Sequence, residues 1–344
     1  MTCHLTFVIG HYAMYYPSGK KNIVVTGGAG FIGSHLCDIL VSQHHVICID
    51  DLSTGSIENI EHLLSNPDFE LVRHDLVLPI EIVKLSELQK FQVEFQGVQE
   101  VYHLATPSTP KDYEGNPLKT VLSSSHATYN ALLIAKQWNA KFLFTSSSWV
   151  YGNADSSKLI PETYWGYVDP VGATAPYAEG KRFAETLVYW FSRQYKLDTK
   201  IARLASIYGP RMKLGSGRQV ADIIGHAMKN ESIELKSNQA DTLTVVYVLD
   251  IIEGLLKMMS SDEHGPLNFS ANSSYRLQDL ITAVKAITAS TSPIVEKNEV
   301  ELHQHAMLDI SLAKERLGWY PVVTMEDGLK KTVDSIRSTQ MRKH

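Results

Sequence analysis

Residues 22–51 read NIVVTGGAGFIGSHLCDILVSQHHVICIDD, and no other stretch limits the fold as tightly. A run of β-branched apolar residues enters a glycine-rich turn, an amphipathic segment follows, and a second apolar run ends in acid. That order predicts strand, helix, strand, with the strands parallel and the crossover right-handed. Gly27, Gly30 and Gly33 recur every three residues across the turn. Without side chains there, backbone N–H groups can approach a pyrophosphate at the positive end of the helix. Phe31 and Ile32, at the helix start, belong to the same turn. Asp50 follows Gly27 by 23 residues at the end of the second strand, where a carboxylate accepts hydrogen bonds from an adenosine ribose and repels a 2′-phosphate. The expected cofactor is therefore NAD rather than NADP. Asp75 and Leu76 after a third strand are placed to meet the adenine, with Leu104 and Ala105 after the fourth strand also on the cofactor.

Further apolar runs at FELVRHD, VQEVYHLA, AKFLFTSSS and TKIARLASIYG alternate with helix-length segments. The fold class expected is α/β, a doubly wound parallel sheet of Rossmann type with a smaller C-terminal substrate-binding lobe. The divisions are an N-terminal extension over 1–20, an NAD-binding domain over 21–205, a lobe mainly over 206–337 with parts of the chain crossing back, and a tail over 338–344. Two long helices are predicted, over 116–138 and 175–195. In the second, Phe183, Leu187, Trp190 and Phe191 form a stripe, read as sheet-facing core ahead of a subunit interface.

Composition narrows the partners. The chain has 32 basic and 37 acidic residues and a formal net charge of −5, without a long run of either sign, which argues against nucleic acid and for a small molecule. No apolar stretch approaches the roughly 18–20 residues of a membrane span, so no membrane partner is expected. Cys3, Cys37 and Cys48 have no C-x-x-C spacing; they suit a reducing compartment, the cytoplasm, and packing roles. No metal site is expected. The first twenty residues lack the basic region of a signal peptide and are an extra strand, a tail or the product of an upstream start, with Met14 just ahead of the first well-formed element.

Tyr177 and Lys181 stand four apart in YAEGK, on one face of a helix. A neighbouring ammonium and a positively charged nicotinamide favour phenolate, which makes a tyrosine a usable base near neutral pH. Upstream, FTSSSWVYG puts hydroxyls at a strand end. With the glycine turn before them, these residues, together with HLATPSTPKDY, YWGYVDPVG, YAEGKRFAET, YGPRM and GRQVADIIGHAM, make the chain resemble the extended short-chain dehydrogenases/reductases that modify nucleotide sugars. The likeness runs over roughly 21–337 and is greatest to UDP-glucuronate decarboxylases. It implies retained NAD, removal and return of the sugar C4 hydride, and a homodimer formed through the two long helices. It casts Tyr177 as base, Lys181 as its partner and Ser147 as the hydroxyl on the sugar O4. Pro107, Ser108, Ser148, Trp149, Ser206, Arg211 and Arg218 are the candidate substrate contacts, with Arg211, Lys213 and Arg218 able to meet the diphosphate.

The pattern departs from those decarboxylases at specific places. Trp149 stands where they carry glutamate, Ser206 where they carry asparagine, and Thr174, Leu243 and Ala306 where they carry arginine. Arginine clamps carboxylate and phosphate bidentately, and each charge-assisted contact contributes about 1.5–3 kcal/mol. Their loss suits a less acidic or differently held substrate; His303 and His305 could restore charge at lower pH. Trp149 walls the sugar pocket, offers a stacking surface or is core. The expected activity is C4 oxidation and re-reduction of a nucleotide sugar, leaning to 4-epimerisation. The alternatives are UDP-glucuronate decarboxylation and a non-catalytic NAD-binding regulatory protein.

Overall fold

The structure, a computed structural model, describes residues 19–154, 158–235, 238–239, 241–297 and 307–341. The first eighteen residues, His303, His305 and Ala306 lie outside the described residues, as does Cys3. The first half runs β1 (Asn22–Thr26), α1 (Phe31–Leu40), β2 (His45–Asp50), β3 (Phe69–Arg73), α2 (Val93–Gln96), β4 (Glu100–His103), α3 (Pro110–Gly115), α4 (Pro117–Leu122), α5 (Thr128–Trp138), β5 (Lys141–Ser147), α6 (Ala175–Tyr195) and β6 (Thr199–Leu204). The second half runs β7 (Ser206–Tyr208), α7 (Gln219–Lys229), β8 (Ile233–Leu235), β9 (Thr242–Leu243), β10 (Val245–Tyr247), α8 (Val248–Ser260), β11 (Leu267–Phe269), β12 (Tyr275–Arg276), α9 (Leu277–Thr288), β13 (Ile294–Glu296), α10 (Ser311–Leu317) and α11 (Met325–Met341).

Seven parallel strands form the main sheet in the order β11-β6-β5-β4-β1-β2-β3. β1 is buried along its whole length, as a central strand covered on both faces must be. The strand order reverses direction at β1 and β4, and in such sheets the crevice at that reversal, beyond the strands' carboxyl ends, takes ligands. β11 comes from the second half of the sequence, so the chain does cross back into the sheet.

The segment expected as one helix over 116–138 is α4 and α5 joined by a π-helical turn at Ser123–Ala127. Asn116 caps its start by accepting the Lys119 N–H at 3.2 Å. α6 follows the expected range residue for residue. Its stripe divides: Phe191 is buried and Leu187 packs on the core, but Phe183 and Trp190 are 52% and 62% exposed. The core reading was wrong for those two, because a 21-residue helix that buries Tyr177, Lys181, Ala184 and Val188 toward the sheet has already spent that face. α11 continues to Met341, past the tail boundary expected at 337. Cys37 and Cys48 are buried free thiols packed beneath Gly28. No helix among the described residues is long and apolar enough to cross a membrane.

Candidate active site

At the reversal of the sheet lies a cleft of about 1150 Å³. One end is made by backbone. Gly27 has φ of +71° and donates its N–H to Ile49 O at 2.8 Å, tying the turn to the end of β2. A Cβ on Gly33 would lie 2.2 Å from Gly27 O, so the helix can start this close to the turn only with glycine there. Asp50 holds the loop in place, its two carboxylate oxygens accepting Ala29 N–H at 2.9 Å and Leu52 N–H at 2.8 Å. Burial raises the pKa of Asp50, opposed by those two N–H groups. Asp75 accepts Val77 N–H at 3.0 Å and is ion-paired to Lys119, which also meets Asp51 at 3.0 Å. Beneath the floor, His103 sits between Thr26 Oγ1 (2.7 Å) and Thr128 Oγ1 (3.0 Å), and burial brings its pKa down to about 3, leaving it neutral.

These residues fit NAD. The glycine turn is a cradle that a Cβ would fill, and the Asp50 carboxylate opposes a 2′-phosphate. Arg211, in the left-handed region at φ +66°, lines the same cleft with its Nη1 buried and without a hydrogen-bond partner among the described residues. Its Nη2 pairs with Asp38 of α1 at 2.7 Å, so this arginine is anchored to the cofactor-side helix.

The other end of the cleft is built by side chains from β5 and α6. Tyr177 is buried at the start of α6 and hydrogen-bonded to Ser147 at the end of β5. One turn on, Lys181 Nζ donates to Thr145 O at 2.8 Å and Thr106 Oγ1 at 3.3 Å. Burial raises the pKa of Tyr177, with Arg218 and the Ser147 hydroxyl opposing, and brings that of Lys181 down to about 7. Tyr113, on α3, stacks on Tyr177 with ring centres 5.5 Å apart at 14°. Trp149 is half-buried and stands edge-on to both, 6.3 Å from Tyr177 and 6.1 Å from Tyr113. It is a wall of the cleft rather than core.

Gly27, Gly30, Phe31, Ile32, Gly33, Asp50, Asp75, Leu76, Leu104, Ala105, Pro107, Ser108, Ser147, Ser148, Trp149, Tyr177, Lys181, Ser206, Arg211 and Arg218 all line this one cleft. So do Thr174 and Leu243, the latter 2% exposed. Arg218 donates to Ser108 O at 2.8 Å and Ser108 Oγ at 3.3 Å, whereas Lys213 pairs with Asp112 at 3.1 Å. Sequence reasoning missed Tyr113, Lys119 and the end of α11, whose Ser335 and Ser338 reach the cleft. Tyr113 stood inside a motif already singled out, without a spacing to give it a role; Lys119 and α11 carried no local signal.

The family model for GDP-mannose 4,6 dehydratase matches residues 24–332. UDP-glucuronic acid decarboxylase 1 of Arabidopsis thaliana is 40% identical over 93% of this chain and 71% of its own. UDP-glucuronic acid decarboxylase 1 of Danio rerio is 36% identical over 91% of this chain and 72% of its own. Among solved structures, UDP-glucose 4-epimerase of Thermotoga maritima superposes with a TM-score of 0.80 at 28% identity, covering 93% of this chain and 99% of that one. UDP-glucuronic acid 4-epimerase of Bacillus cereus gives 0.74 at 25%, covering 92% and 99%. A family match across most of the chain, on a Rossmann sheet whose cleft holds the glycine cradle, Asp50 and the Tyr177–Lys181 pair, places this protein in the GDP-mannose 4,6 dehydratase family, among the NAD-dependent nucleotide-sugar epimerases, dehydratases and decarboxylases.

Proposed function

We propose that the protein epimerises a nucleotide sugar at C4, and that the sugar's C5 substituent carries no carboxylate. The observation behind this reading is the surroundings of Tyr177: an aromatic wall of Tyr113 and Trp149, the tryptophan standing where the resemblance to decarboxylases implies a glutamate. Four of the five lysines and arginines lining the cleft are held in place among the described residues. Lys119 is held by two aspartates, Arg211 by Asp38, Lys213 by Asp112, and Lys181 lies buried under Tyr177. Arg218, whose hydrogen-bond partner among the described residues is the neutral Ser108, is the charge assigned to the diphosphate.

In this mechanism the Ser147 hydroxyl orients O4 and Tyr177 takes its proton as phenolate. The Lys181 ammonium lies behind the tyrosine, fixed by Thr145 O and Thr106 Oγ1, and stabilises that phenolate. NAD, held by the Gly27–Gly33 turn and Asp50, would supply reversible hydride transfer at C4. Epimerisation follows if the ketone presents its opposite face before return. The tyrosine then gives its proton back to O4.

Decarboxylation of UDP-glucuronate is the second reading, favoured by the identity to two proteins of that name. Incubation with UDP-glucose, UDP-glucuronate, UDP-xylose and the corresponding dTDP- and GDP-sugars, followed by mass spectrometry, separates the two. An isomer of unchanged mass supports epimerisation. Loss of CO2 from UDP-glucuronate replaces it with decarboxylation, and no turnover with NAD bound favours the regulatory alternative. The homodimer is carried as part of this reading by the apolar exposure of Leu118, Val121, Phe183 and Trp190 on the two long helical segments. Sedimentation at micromolar concentration checks it, with a monomer counting against it.

A further inference from the structure

The mechanism leaves one part-buried charge pair beside the catalytic residues without a task. α6 presents Tyr177, Lys181 and Glu185 at successive four-residue steps, hence on one face. Glu185 accepts Ser146 Oγ–H at 2.6 Å, Arg203 Nε–H at 2.9 Å and Arg203 Nη2–H at 2.6 Å. The two ionised side chains are only 13% and 12% exposed. Arg203, from β6, also donates to Tyr151 Oη and Glu162 O, both at 2.9 Å, and Tyr151 in turn bonds Asn268 Oδ1 of β11 at 2.7 Å. Desolvating an ion pair costs more than its attraction commonly returns, so stability is a weak account of its presence. Ser146 directly precedes Ser147, the hydroxyl assigned to O4.

We propose that Glu185 is a positioning residue, whose carboxylate, fixed by Arg203, sets the proton equilibrium of the Tyr177–Lys181 pair and, through Ser146, holds the strand end that carries Ser147. This rests on the assignment of Tyr177 as the base. Burial favours loss of the Lys181 proton, and the Glu185 charge opposes it. The charged and titratable groups around the pair are Glu185 on the same helix, His103 on β4, Arg203 on β6, Tyr113 on α3 and Arg218 at the start of α7. His103 is neutral, so Glu185 is the negative charge among them. Removing it favours proton release from Lys181, and a neutral Lys181 no longer stabilises the Tyr177 phenolate.

The test is the near-ultraviolet tyrosinate absorbance of the NAD-loaded protein as a function of pH, with the Tyr177→Phe spectrum subtracted. In Glu185→Gln the Tyr177 titration should move to higher pH by about one unit, and Glu185→Asp should restore most of it. Ser146→Ala, which keeps both charges, should leave the titration in place and lower kcat with KM little changed. The double variant Glu185→Gln/Arg203→Met strands no charge and guards against a folding defect; it should move in the same direction by less. An unmoved titration in Glu185→Gln and the double variant, with Tyr177 tyrosinate present in the parent, overturns the role of Glu185 alone. An equal shift in Ser146→Ala overturns the electrostatic account. If Tyr177→Phe removes no tyrosinate below the ordinary tyrosine range, the assignment of the base falls, and this inference with it.

Discussion

The two ends of the cleft are made of different material. The cofactor end is shaped by backbone: a left-handed Gly27, a Gly33 that admits no Cβ, and an Asp50 engaged by loop N–H groups. The other end is shaped by side chains, with Trp149 and Tyr113 around Tyr177. Backbone geometry tolerates few substitutions, because each one moves the chain itself. A side-chain wall can be rebuilt residue by residue on an unchanged frame. A chain can in this way keep one end of a cleft while the other changes.

The comparison breaks if the ends are not separable. Tyr177→Phe should lower kcat by about 10²–10⁴-fold while calorimetry finds NAD affinity unchanged; a parallel loss of NAD binding would mean that the two ends act as one. His103 tests the foundation of the cofactor end. Its folded value of about 3 lies below the ordinary 6.5, so between those values the unfolded chain binds a proton that the folded chain does not. Stability is therefore fully present above about pH 6.5 and falls by at most about 1.4 kcal/mol per pH unit as pH drops toward 3. Denaturant titrations of the protein and of His103→Gln should show a shallower acid slope in the variant.

Gly33→Ala should lose NAD binding and about 1–3 kcal/mol of stability, since the added methyl meets a carbonyl oxygen that cannot retreat without moving Gly27. Retained NAD affinity there would show that the turn is more compliant than its contacts suggest. The smallest effect belongs to the side-chain wall. Trp149→Ala removes one aromatic contact worth about 0.5–1.5 kcal/mol, so KM for the sugar substrate should rise by about two- to tenfold while NAD affinity holds. No change in KM would place the wall outside the substrate's reach.

The cofactor end was legible because its signals are local. Glycines at fixed intervals between a strand and a helix, with an acid ending the next strand, describe one continuous supersecondary unit, and α1, β2 and α6 formed where periodicity placed them. Lys181 followed from Tyr177 through helical spacing. Glu185 stood at the next helical step, legible as a position but not as a partner, since Arg203 and Ser146 arrive from two other strands. The stripe on α6 misled for a related reason: periodicity finds an apolar face but does not say which side the sheet occupies.

The sequence by itself determined the parallel α/β sheet, the glycine cradle with its acid, the Tyr177–Lys181 pair and the tryptophan at 149 after the strand-end hydroxyls. These depend on spacing along one segment or on the identity of one residue. Only the tertiary structure decided that Trp149 stands edge-on to Tyr177 with Tyr113 stacked beside it, that Lys119 and Arg211 are already paired, that Ser335 and Ser338 reach the cleft, and that a part-buried carboxylate lies behind the base. Each of those facts is a meeting of side chains from elements far apart in sequence, fixed by packing and crossover, and no local pattern encodes it.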